Sequence, residues 1–185
     1  MRLIILLAVI DWTFSSCTNS KPIDKPKVFT SFDFSYNDVF STCFSIKFNR
    51  DDEVFIKQHF ASAFSDTPKS GQSYYAILAE IDRHRLDSFI DKTNFAMFDT
   101  SYYQNYQDGE EYKFFVDKDS IQKTIYVRSD SIPNELKTFA YWIVSLKKNL
   151  KLFATDTIVN FGSVRHFLPP IIPSPIVKFT PPKVE

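Results

Sequence analysis

Three histidines, two cysteines and a scatter of serines are the residues of this chain that can do chemistry. His59, His84 and His166 stand far apart. None has the H-x-x-x-H or C-x-x-C spacing that gathers three or four ligands around zinc, so no metal and no cofactor is expected. His84 lies between Arg83 and Arg85, on a face crowded with like charge. The glycines Gly71, Gly109 and Gly162 sit in "GQS", "DGEE" and "FGSV", and none of these is a phosphate-cradling loop. No G-x-S-x-G elbow occurs. A serine triad is set by geometry and not by chain order, so a hydrolase with a dispersed site stays open. The carboxylate pairs Asp51/Asp52 and Glu110/Glu111 are adjacent in the chain. Strand neighbours point to opposite faces, so these pairs read as solvated turn residues. Cys43 has Ser41, Thr42, Phe44 and Ser45 around it and no base to lower its pKa. It reads as a small buried hydrophobe, with a Cys17–Cys43 disulfide as the alternative.

Cys17 invites a different chemistry. Arg2 is followed by the apolar run from Leu3 to Ile10, then Asp11 and Trp12, then "FSSCTN". A positive residue and a short apolar run form a signal-peptide pattern, and the run falls short of the roughly 20 residues that span a bilayer. Ser15 and Ser16 before Cys17 resemble the lipobox of bacterial lipoproteins, with Phe14 where leucine is usual. That resemblance implies cleavage before Cys17 and acylation of its thiol. An ordinary secretory signal or a buried N-terminal strand are the other readings. "TNSKPIDKPK", residues 18–27, has two prolines and a single aliphatic residue, Ile23. It reads as a tether of about 33–36 Å at full stretch.

Charge narrows the partners. Lys+Arg and Asp+Glu are both 22, giving a net charge of zero. Nucleic-acid binding needs a basic excess, so none is expected; a polybasic membrane patch is equally unsupported.

The elements that would position these groups follow from periodicity. Phe32, Phe34 and Tyr36 alternate with polar residues, as do Phe44, Ile46 and Phe48, then Val54, Ile56 and Phe60. These are half-buried strands, the last two joined as a hairpin through "NRDD". "SDTPKSGQS" is a loop. "YYAILAEI" makes a strand with Tyr75, Ile77, Ala79 and Ile81 on one side. A helix opens at Asp82 as its cap, with Ile81 and Leu86 as a hydrophobic staple. Leu86, Phe89, Ile90 and Thr93 mark its buried face. A second hairpin carries Tyr112, Phe114 and Val116 against Ile121, Lys123, Ile125 and Val127, turning at Lys118-Asp119-Ser120. After Pro133, the spacing of Leu136, Phe139, Ile143, Leu146 and Leu150 gives the clearest amphipathic helix. "LFATDTIVNF" adds a strand or packs as a loop.

Hairpins dominate, so the expected fold is α+β: a mostly antiparallel sheet with two helices packed on one face. The expected division is a signal peptide at 1–16, lipidated Cys17 and tether at 17–27, one domain at 28–168 and a proline-rich extended tail at 169–185. The tail's Ile171, Ile172, Ile176, Val177 and Phe179 favour docking on the domain. Tyr102, Tyr103 and Tyr106 sit among polar residues between the first helix and the second hairpin. They either cover the sheet edge or form a contact surface for a protein or glycan, since tyrosine offers a stiff ring with a polar tip.

The segments "STCFSIKF", "NRDDEVFIKQHF", "DRHRLDSFID", "NFAMFDTSYY", "YKFFVDKDSIQKTIYV" and "IPNELKTF" together resemble a group of small bacterial envelope lipoproteins whose domain has no assigned function. The likeness covers roughly residues 32–150. Such proteins often carry Gly before the Cys and Pro after it; Thr42 and Phe44 stand there here. The resemblance implies a location in the cell envelope and a fold, and brings no activity; no acidic run follows Cys17, so the expected side is the outer membrane's periplasmic face. The expected function is a non-enzymatic binding domain held to the membrane by lipid. A periplasmic immunity or inhibitor protein and a dispersed-site hydrolase are the alternatives.

Overall fold

The computed structural model of this chain describes residues 28–38, 40–49, 51–62, 68–105 and 109–164. The leader, Cys17, the tether, Tyr106, His166 and the proline-rich tail lie outside the described residues. The elements in chain order are β1 (Ser31–Asp38), β2 (Thr42–Phe48), β3 (Glu53–Ala61), β4 (Ser73–Ile77), α1 (Glu80–Lys92), β5 (Ser101–Tyr103), β6 (Glu110–Lys118), β7 (Ile121–Arg128), α2 (Asn134–Asn149) and β8 (Phe153–Thr155). The strands form one open sheet in the order β5-β7-β6-β1-β2-β3-β4-β8. Every pairing is antiparallel except β5 with β7. The α+β reading is thereby met.

One face of the sheet is the core. Phe32 pairs with Phe48 and Val116, and Phe34 with Ile46 and Phe114, so the alternating rings line up in rows across the strands. Helix α1 adds Leu86 and Ile90, and α2 adds Leu136, Phe139, Ile143 and Leu146. Phe139 stacks on Phe89 of α1 at 3.5 Å between centroids and meets Phe32 at 5.7 Å. It therefore joins both helices to the central strand. The β6–β7 turn places Asp119 at φ 52°, a left-handed conformation that Asp tolerates better than most residues.

Three local expectations are corrected. In β4 the buried residues are Tyr74 and Ala76, continued by Leu78 just past the strand, while Ile77 is exposed. "YYAIL" is apolar in both phases, so pairing with β3 decides: Ile56 opposes Tyr74 and Val54 opposes Ala76. A one-residue slip in a strand exchanges its faces. Helix α1 starts at Glu80, after Ala79 and without a side-chain cap. Asp82 is a first-turn residue, and Ile81 is 78% exposed and staples nothing. Glu110 and Glu111 are not turn residues but open β6. Glu110 accepts the Tyr36 hydroxyl at 2.7 Å, and Glu111 accepts Asn37 Nδ2 at 3.0 Å and the Tyr126 hydroxyl at 2.9 Å.

Candidate functional site

The other face of the sheet is polar, and it is where the chemistry collects. Tyr126, Lys113, Ser35, Ser45, Lys57, Ser73 and Thr155 are successive partners in one row crossing seven strands. After β8 the chain turns back over this face. Residues 156–164 form a strap that ends in a tight turn at Gly162–Val164, packed on β1 and β6. On both sides of the strap an open trough of about 1800 Å³ remains. One wall holds Lys57, His59 and the Ser70–Ser73 segment; the other holds Thr100, Lys113, Phe115, Gln122, Thr124 and Tyr126.

Beneath the strap the polar groups satisfy one another. Ser163 Oγ lies 2.7 Å from Ser35 Oγ, which lies 2.6 Å from Ser45 Oγ, which lies 2.9 Å from His59 Nε2. All three serines are fully buried. A β-bulge sets this up: the register shifts between Cys43 and Phe44, which oppose Phe60 and Gln58 and leave His59 over. A bulge re-aims a side chain, and here it turns the imidazole toward Ser45. Burial, and then the nearby Lys57 charge, hold the His59 pKa below its usual value. Buried Gln58 closes the bulge from the core side. Its Nε2 donates to Thr42 Oγ1 at 2.8 Å and to the Cys43 carbonyl at 3.2 Å, and its Oε1 accepts from Lys147 Nζ at 2.7 Å.

Asp33 is the second buried centre. Burial pushes its pKa up, while Lys47 Nζ at 3.7 Å and the Gly162 N–H pull it down. Lys113, pressed over the Tyr126 ring at 5.2 Å, has its pKa lowered by desolvation, which Glu111 opposes.

Ser45 and His59 have the spacing of a nucleophile and its base. The hydroxyl is fully buried, and among the described residues no carboxylate is paired with the ring. Among those residues no group of three or more His, Cys, Asp or Glu side chains is placed to hold a metal ion, and no helix is long and apolar enough to cross a membrane. Cys43 is a free, buried thiol whose pKa burial and then Glu111 push up to about 12.

The tyrosine segment is split by the fold. Tyr102, opposite Val127, packs against the core, and its hydroxyl accepts the Asp99 N–H at 3.1 Å. Tyr103, opposite Arg128, is exposed on the polar face. The two do not share a surface. Sequence reasoning missed Asp33, Ser35, Lys57, Lys113 and the strap. The polar phase of the strand alternation marks the first four; the strap has no local signal.

The fold and trough define an α+β protein with helices on one sheet face and a half-covered polar trough on the other. Comparison with protein-family models, curated proteins and solved structures finds no match.

Proposed function

We propose that this chain is a lipid-anchored protein of the bacterial cell envelope whose domain binds another macromolecule through the polar trough and catalyses no reaction. The observation that carries the binding reading is the trough itself. Its volume of about 1800 Å³ exceeds the roughly 300–1,000 Å³ of small-molecule pockets, and it is open along a sheet face. The hydroxyls beneath the strap are spent on one another, which favours a surface for recognition over a reacting centre. The anchor reading rests on the apolar leader before Cys17 and on the likeness to small envelope lipoproteins. The absence of an acidic run after Cys17 favours the periplasmic side of the outer membrane.

Labelled palmitate tests the anchor: the parent chain takes up label and Cys17→Ser does not. Affinity capture from membranes, compared between the parent and a folded Gln122→Arg/Ser73→Arg variant, tests the trough. Loss of the captured partner in the variant supports the reading, and unchanged capture refutes it. A single toxin or hydrolase captured stoichiometrically would make the same surface that of an inhibitor. The Ser45–His59 contact favours one further reading, a hydrolase opened by strap movement. Labelling of Ser45 by a fluorophosphonate would establish it.

A further inference from the structure

The sheet grips the strap mainly by its backbone. Asp33 Oδ2 accepts the Gly162 N–H at 2.5 Å, and Lys47 Nζ donates to the Asn160 carbonyl at 2.9 Å. The Phe115 ring lies so close that a Cβ on Gly162 would stand 2.6 Å from Cγ. That position therefore admits only a residue without a side chain. The next residue, Ser163, is read by Ser35 through its hydroxyl. The strap's other half is scarcely held: Asp156 and Thr157 are exposed and Ile158 is 94% exposed.

These contacts specify a ligand class. A buried carboxylate that accepts an amide N–H, an ammonium on a carbonyl, an aromatic floor for glycine and a hydroxyl partner for serine together recognise peptide. Asp33 and Lys47 offset each other's charge, so the peptide needs no net charge of its own. The open space flanking the strap gives an incoming chain an approach.

We propose that the centre of the trough is a peptide-binding seat whose occupant in this chain is its own strap, and that a Gly–Ser-containing segment of a partner protein takes the seat in exchange. The proposal rests on the reading of the trough as the binding surface and names its ligand. Exchange follows from the uneven hold: the exposed half gives up only the Thr157 contacts to Thr155 at 2.9 and 3.2 Å, and the held half is then replaced group for group.

The test uses the full chain carrying Cys17→Ser and a fluorescein-labelled synthetic peptide of residues 155–164, followed by fluorescence anisotropy. Gly162→Val drives the strap off Phe115 and empties the seat. The expected result is binding to Gly162→Val at least tenfold tighter than to the parent, lost when Asp33→Asn is added or when the peptide itself carries valine for glycine. A folded Gly162→Val chain that binds the peptide no better than the parent overturns the proposal. Should that variant fail to fold, a protease site at Ile158 replaces it. The cut chain should then release its C-terminal piece to excess peptide on size exclusion, and retention of that piece overturns the proposal. Chitotetraose separates the two levels. Sugar binding without peptide binding sinks the peptide seat and leaves the trough as a binding surface. Binding of neither counts against both.

Discussion

Lys147 should make the stability of this protein rise with pH in a window where stability ordinarily falls. Its ammonium is buried under α2, 5.0 Å above the Phe44 ring, with Gln58 Oε1 as its partner at 2.7 Å. Desolvation, with Lys148 adding repulsion, lowers its pKa from 10.5 to about 8. The unfolded chain therefore binds more protons than the folded one between about pH 8 and 10.5, so stability increases with pH there. A shift of this size corresponds to about 3 kcal/mol, at about 1.4 kcal/mol per unit. Cys43, Tyr36 and Tyr126 have raised pKa values when folded. They act in the opposite direction above their unfolded values. Comparison with Lys147→Met, which keeps the chain length and packing over Phe44, removes them because both proteins carry them. Urea unfolding at pH 7, 8, 9 and 9.5 reads the difference. Parent stability minus variant stability should climb by about 2 kcal/mol between pH 8 and 9.5. A flat difference, or one that falls, refutes the account of Lys147 as a strained buried cation.

Ser35→Ala removes the middle of the hydroxyl chain and leaves Ser45 and Ser163 each short of a buried partner; a loss of roughly 1–3 kcal/mol is expected, read by urea unfolding. Phe139→Ala cuts the ring joining α1, α2 and β1, and about 3–5 kcal/mol should go, with the near-ultraviolet circular dichroism of the aromatic core. Cys43, buried and held protonated, should resist a disulfide reagent at pH 8 in the folded chain and react at once in urea. Fast native labelling would show that this end of the sheet opens.

The sheet was largely legible because in β1 and β2 the rings alternate in one phase only, and in β6 and β7 the opposite phase is polar apart from Phe115 and Tyr126. In β1, β2, β6 and β7 the core residues are those the alternation marks, and α2 buries Leu136, Phe139, Ile143 and Leu146 at their helical spacing. β4 was misread because "YYAIL" has no polar phase, so its register came from Val54 and Ile56, twenty residues away. β5 escaped because a three-residue strand carries no period of its own; for "LFATDTIVNF", open between strand and loop, pairing with β4 makes Phe153–Thr155 a strand. The trough was hidden for a related reason. Ser35, Ser45, Lys57 and Lys113 come from four strands and read singly as solvent-facing alternates. Only the register makes them a row, and only the strap, which arrives from more than a hundred residues downstream of Ser35, turns part of that row into an interior.

Both borders of the sheet are the three-residue strands β5 and β8. A border strand exposes a ladder of unpaired amides and carbonyls onto which another chain can crystallise. Each border ladder is three residues long, yet β5 covers only residues 126–128 of β7, so among the described residues 121–125 of that longer strand also face outward without a sheet partner on that side. Lys123 stands on that stretch and reaches the Ala96 carbonyl at 3.1 Å, a charged residue of the kind that blunts an open edge.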